Sequence, residues 1–174
     1  MSATAGEMKK KVLTLLLLRR GPDEVLLGRK KRGFGAGYFN GFGGKVEAGE
    51  TVLEGAIREM EEESGLRLDP ADVSLRGILD FEFDDNPQPW CVYVFHADGD
   101  ALGGEPVETE EMAPVWTSVH ALPFDQMWAD DVHWYPLFLA GKLFTGRFAF
   151  TRTTTLVSFD LQAVTALPDV SLLG

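Results

Sequence analysis

The sequence predicts an α/β or α+β fold, a mixed β-sheet flanked by two helices. Three observations carry that expectation. Apolar runs such as VLTLLLL and WCVYVFHA are short, are bounded by Gly, Pro and Asp turn signals, and read as strands. The segment 52–64 carries helix start and stop signals at both ends. No repeat or linker interrupts the 174 residues, so a single domain over 1–174 is expected.

Residues 1–9 are expected to form a tail without regular structure. Lys9-Lys10-Lys11 and the apolar run after it mimic a signal peptide, but the run ends in Arg19-Arg20 and lacks a small-residue cleavage site. Residues 12–18 therefore read as a buried first strand. Gly21-Pro22-Asp23 turns the chain into a second strand, 24–29. Residues 30–37 (KKRGFGAG) form a basic, glycine-rich loop without the GxxxxGK[ST] pattern of a P-loop. Residues 38–45 lead into the helix. Beyond it, 73–83 and 90–97 read as strands around a loop, 84–89 (DDNPQP), and 98–105 is loop. Residues 111–119 form a short strand and 122–128 a single helical turn. The second helix is expected over 131–140, capped by Asp130 or Asp131, with Trp134, Leu137 and Phe138 inward and Pro136 close enough to the first turn to be tolerated. Residues 144–151 and 154–161 close the chain as a hairpin.

The helix 52–64 is the stretch around which the chain is organised. Thr51 and Glu54 fit a capping box, and Gly65 fits the stop. At roughly 100° per residue, Leu53, Ala56, Ile57 and Met60 share one apolar face. Glu59, Glu62 and Glu63 cluster on an adjacent face with Gly55 beside them, and Arg58 can pair with Glu54 or Glu62. Like charges at i,i+4 repel, and acids near a helix C-terminus oppose its dipole. Such a cluster calls for a cation, and hard oxygen ligands suit Mg²⁺ or Mn²⁺. A generic run of glutamates is usually a solvated face; the flanking glycines and the Arg58-Glu59 pair set this one apart.

Composition narrows the class further. Apolar residues make up 45% and charged residues 25%, the balance of a globular protein. A net charge of −11 argues against binding a nucleic-acid polymer, though metal ions can bridge an acidic protein to a nucleotide. No run approaches the roughly 20 apolar residues of a membrane span. One cysteine, Cys91, excludes an internal disulfide and suits a reducing, cytoplasmic compartment.

Gly44, Glu50, Arg58, Glu59, Met60, Glu62, Glu63, Gly65 and Leu66 match every specified position of G-x5-E-x7-R-E-U-x-E-E-x-G-U, where U is apolar. The chain thus resembles the Nudix hydrolases. Through KKRGFGAG, NGFGGKV, FEF, MWADD and HWYPL it resembles in particular the mammalian-type MutT homologues, which hydrolyse oxidised purine nucleoside triphosphates such as 8-oxo-dGTP and 2-oxo-dATP. The resemblance implies an α/β/α sandwich, a Mg²⁺ cofactor (Mn²⁺ as substitute), a small nucleotide substrate and a monomer. It implies that Glu59, Glu62 and Glu63 hold the metal, with Glu63 orienting or deprotonating the attacking water. Gly43 and Glu111 would join the metal site, and Gly43, Gly44 and Lys45 would lie near the phosphates. Water would attack a phosphorus of the triphosphate, releasing monophosphate and pyrophosphate. Asn40, Asp130 and Asp131 would bond the base, Phe34, Phe81, Phe83, Met112 and Trp128 would line a slot for it, and Thr14 and Lys30 would sit at its edge.

On pattern alone these residues read otherwise: Asp130-Asp131 as a helix cap, Trp128 and the phenylalanines as core, Asn40 as a turn residue. His96, His120 and His133 have no partner at catalytic spacing. The chain departs from the mammalian pattern in two places. Tyr38-Phe39 replaces Arg-Trp, and Trp90 replaces a methionine at the pocket edge. Two other functions compete, a Nudix hydrolase of dinucleotides, nucleotide sugars or caps, and a silent nucleotide-binding module.

Overall fold

The computed structural model describes residues 9–170; the expected tail lies almost wholly outside them. Eight strands form a mixed sheet: β1 (Lys11–Arg20), β2 (Glu24–Lys30), β3 (Phe39–Asn40), β4 (Val73–Phe83), β5 (Asn86–Asp98), β6 (Met112–Ser118), β7 (Leu143–Thr151) and β8 (Thr155–Val164). The order is β3-β2-β1-β5-β4-β7-β8, with β6 also paired to β2. The β1–β5 and β4–β7 pairs are parallel and the others antiparallel. Helices α1 (Val52–Ser64) and α2 (Asp131–Leu139) cover opposite faces.

The leucine run of β1 explains the layering. Successive side chains of a strand point to opposite faces. Leu15 and Leu17 therefore enter the core under α2, with Trp134, Tyr135 and Phe138. Leu16 and Leu18 enter the core under α1, with Val52, Ala56 and Met60. A strand buried on both sides needs an unbroken apolar run, and this one has it.

Helix α1 follows its signals closely. Thr51 Oγ1 accepts from the Glu54 N–H at 3.1 Å, and Glu54 Oε1 accepts from the Thr51 N–H at 3.1 Å. Gly65 ends the helix at φ 75°. That capping role takes Glu54 away from Arg58, so of the two expected partners only Glu62 is engaged, at 3.3 Å. The space beside Gly55 is filled by Glu50 and Val46 rather than by the glutamate cluster.

Three local expectations are corrected. The loop expected over 84–89 shrinks to a turn at Asp84-Asp85, and β5 starts at Asn86. Pro87 and Pro89 are tolerated because β1 begins pairing only at Trp90, and the β4 register is irregular between Phe81 and Phe83. Asp130 stands at the N-cap of α2 but makes no capping bond, because its carboxylate faces Trp134. Pro136 lies in the second turn of α2, not near the first.

Candidate active site

The site begins with a glycine loop laid along β1. Near its C-terminal end β1 pairs with β2, while nearer its start the same edge bonds residues 42–46. The Thr14 N–H donates to the Gly44 carbonyl at 2.9 Å, and the Leu16 and Phe42 backbones exchange bonds of 2.6 and 3.0 Å. The approach is so close that a Cβ on Gly43 would lie 1.8 Å from the Thr14 carbonyl oxygen. A Cβ on Gly44 would lie 2.7 Å from the Glu59 carboxyl. The two glycines therefore let backbone approach backbone at one position and a carboxylate at the next.

This approach fixes the acids of α1. The Gly43 N–H donates to Glu63 Oε1 at 2.8 Å. Glu63 is buried, and burial pushes its pKa up to about 8, the Gly43 N–H opposing the rise and the Glu59 charge adding to it. Burial also raises Glu59, against the opposing pull of Arg58. Arg58 is the organising cation. Its guanidinium reaches Glu50 at 2.7 Å, Glu59 at 3.0 Å, Glu62 at 3.3 Å and the Lys45 carbonyl at 3.1 Å. It holds the Glu50 carboxyl below its ordinary range.

Glu111 is paired outside the cluster, although its charge still helps to raise Glu63. It is exposed just before β6, paired with the Arg32 guanidinium, whose Nε donates at 2.9 Å, and the pair lowers its pKa. Among the described residues, no three acidic, histidine or cysteine side chains already converge on a point that would hold a metal. The donor chemistry nevertheless fits a hard divalent cation. Glu59 and Glu63 are carboxylates in a partly dry setting with Glu62 beside them, and a cation would relieve the burial that opposes their charge.

From Glu63 a cavity of about 490 Å³ runs under the loop 31–37 to the start of α2. Lys30, Thr14, Gly43 and Gly44 line it near the acids. Phe81, Phe83, Met112 and Asn40 line its walls, with Phe34 and Trp128 stacked at a centroid distance of 5.2 Å. Asp130 and Asp131 close it, both buried. The Asn40 amide oxygen accepts from the Gly41 N–H at 2.9 Å, leaving its NH₂ to donate elsewhere. Lys45 is the exception among the base- and phosphate-side expectations. Its side chain is exposed and outside the cavity, and its carbonyl anchors Arg58 instead.

The aspartates differ from one another. Asp130 Oδ2 accepts from the Trp134 indole N–H at 2.7 Å. Burial raises both pKa values, Asp131 much the further because the neighbouring Asp130 also repels its charge. One proton between two dry carboxyls gives an acid beside a carboxylate, a donor next to an acceptor. Trp134 and Trp90 also line the cavity. Trp134 had read only as core, since an inward tryptophan at helical spacing carries no sign of the bond its N–H makes.

The Nudix domain model matches residues 9–138, and the chain belongs to the Nudix family. Members of this family work with a divalent cation. The chain is 46% identical over 154 residues to the oxidized purine nucleoside triphosphate hydrolase of Mus musculus, covering 88% of this chain and 96% of that one. It is 47% identical over the same length and shares to the enzyme of that name from Danio rerio. Its fold superposes on the mutator MutT protein of Bacillus halodurans with a TM-score of 0.74 at 28% identity, covering 87% of this chain and 97% of that structure. No helix among the described residues is long and apolar enough to cross a membrane.

Proposed function

We propose that this chain is a Mg²⁺-dependent pyrophosphohydrolase that converts oxidised purine nucleoside triphosphates to monophosphate and pyrophosphate. The observation that carries the reading is one cavity with two chemically different ends: the Glu63 carboxyl at one, the Asp130-Asp131 pair at the other, an aromatic slot between. Its volume is of the size that encloses a small ligand. The names of the mouse and zebrafish relatives support the same substrate class.

In this reading Glu59, Glu62 and Glu63 hold Mg²⁺, which when bound supplies charge neutralisation to the phosphates and acidifies water. Glu63, positioned by the Gly43 N–H, takes the proton of the attacking water. Lys30 on the cavity wall faces phosphate charge. Trp128 and Phe34 stack on the purine, and the acid–carboxylate pair reads its edge. Exchange of the shared proton would let one pocket read both an 8-oxoguanine and a 2-oxoadenine edge. The lone buried Cys91 suits a reducing compartment such as the cytoplasm.

The test is pyrophosphate release in Mg²⁺ from 8-oxo-dGTP, 2-oxo-dATP, dGTP and dATP, with Glu63→Gln alongside. Preference for the oxidised pair, abolished in the variant, is expected. Equal rates on all four nucleotides would defeat the substrate assignment.

A further inference from the structure

Three buried polar atoms at or beside the cavity have no partner among the described protein groups, Trp90 Nε1, Asp131 Oδ2 and the Tyr135 hydroxyl, and the last two lie together on α2. These two belong to one geometric series. Asp130 and Trp134 are four residues apart on α2 and bond directly at 2.7 Å. Asp131 and Tyr135 form the next pair one residue on, with the same i,i+4 spacing, which sets side chains side by side on a helix. A tyrosine ring carries its oxygen past the end of an aspartate side chain, so one water, which needs at least two polar partners, suits the gap.

Tyr135 is fully buried in the core under α2 and packs edge-on against Phe124, and its hydroxyl does not line the cavity. A bare ring would fill the same space. Burying a hydroxyl is unfavourable unless it is hydrogen-bonded, so its presence asks for a partner. Burial and the charges of Asp131 and Asp130 keep it protonated, hence a donor. Asp131 Oδ2, buried and without a partner among the described residues, is the oxygen placed to accept.

We propose that Tyr135 is a positioning residue for base recognition: through one buried water its hydroxyl donates to Asp131 Oδ2, favours the Asp131 carboxylate and biases the shared proton towards Asp130. The inference rests on the proposed reading of the aspartates as the base-contacting pair. Asp130 on the same helix, with His133 acting on it, is the titratable surrounding of this link.

The experiment uses the full chain and Tyr135→Phe, which keeps the ring and its packing. The infrared carboxylic C=O band at neutral pH is assigned to Asp131 by its loss in Asp131→Asn. In Tyr135→Phe the band should gain intensity and move to higher wavenumber, as the proton returns towards Asp131. The ratio of kcat/KM for 8-oxo-dGTP over that for 2-oxo-dATP should change by about fivefold, the weight of one neutral hydrogen bond. A band absent from both wild type and Tyr135→Phe, or a band and ratio unmoved while stability alone changes, would overturn the proposal. So would a high-resolution crystal structure showing the two oxygens beyond about 3.5 Å of any shared water. If the wild-type chain hydrolyses neither nucleotide, the substrate assignment fails, whereas the band still decides the Tyr135–Asp131 link.

Discussion

The Gly43 backbone N–H donates to Glu63 Oε1 at 2.8 Å, tying the loop on β1 to the last turn of α1 across 20 residues of sequence. The bond exists only because Gly43 lacks a Cβ, which would meet the Thr14 carbonyl at 1.8 Å. Gly43→Ala must push the loop off β1. The expected result is a loss of about 2 kcal/mol or more of stability and at least about a hundredfold of turnover. Denaturant unfolding and pyrophosphate release measure the two. A variant that unfolds like wild type and turns over normally would contradict the role given to this contact.

Arg58 serves four glutamates, Glu47, Glu50, Glu59 and Glu62, and a backbone carbonyl, and the carboxylates of Glu50 and Glu59 are mostly shielded from solvent. Removing the guanidinium leaves those charges dry and unpaired. Arg58→Gln should lower stability by about 2 kcal/mol or more. Arg58→Lys should recover only part, since an ammonium is a point charge without the planar fork. An unchanged urea midpoint in Arg58→Gln would show that the cluster relaxes into solvent.

How far the sequence disclosed this arrangement depends on the range of the interaction. Capping box, apolar face and glycine stop are local, and α1 was legible to its end residues. The span of β4 was legible for the same reason. What failed was contextual. The residues 86–89 looked like loop because a proline was weighed without knowing that β1 stops short of it. Asp130 looked like a cap because nothing local reveals that Trp134 takes its carboxylate. Glu111 and Lys45 were placed by resemblance alone; in the structure the first pairs with Arg32 and the second anchors Arg58 through its carbonyl. Tyr135 had no signal at all, since its hydroxyl matters only through a neighbour in the folded helix.

Stacking and edge reading should separate by mutation. Trp128 stacks on Phe34 at 5.2 Å and offers any purine a flat face. Trp128→Ala should raise KM about tenfold or more for every purine nucleotide, with discrimination retained. Asp131→Asn, which cannot surrender a proton, should instead penalise one oxidised purine far more than the other. Steady-state kinetics on 8-oxo-dGTP and 2-oxo-dATP decide it; a uniform loss in Asp131→Asn would remove the edge-reading role.

His96 supplies an acid-side stability term away from the acids of α1. Burial first, then the charges of Arg76 and Arg19, lower its pKa to about 4 in the fold. The unfolded value is about 6.5. Between these values the unfolded chain binds the extra proton, so stability falls as pH drops from 6.5 towards 4 and is complete above 6.5. Arg76 Nη2 lies 3.4 Å from Nδ1, so the neutral ring accepts there and protonation sets cation against cation. His96→Gln should flatten the acid limb of the urea midpoint against pH. An unaltered slope would mean that His96 takes up its proton in the fold without penalty.

Glu111 gives the sharpest contrast with the resemblance. In the structure it is exposed and ion-paired with Arg32, while Glu59 and Glu63 are sheltered beside the glycine loop. A solvent-screened surface pair contributes little to stability. Glu111→Gln should therefore leave folding and the half-saturating Mg²⁺ concentration nearly unchanged and cost less than about fivefold in kcat/KM. Glu59→Gln and Glu63→Gln should each cost at least about a hundredfold. Mg²⁺ titrations of all three variants at saturating nucleotide make the comparison. If Glu111→Gln weakens Mg²⁺ dependence as much as Glu59→Gln does, Glu111 must leave Arg32 and swing to the metal when nucleotide binds. The Arg32 pair would then be a resting contact, and Arg32→Ala should tighten Mg²⁺ binding by freeing that carboxylate.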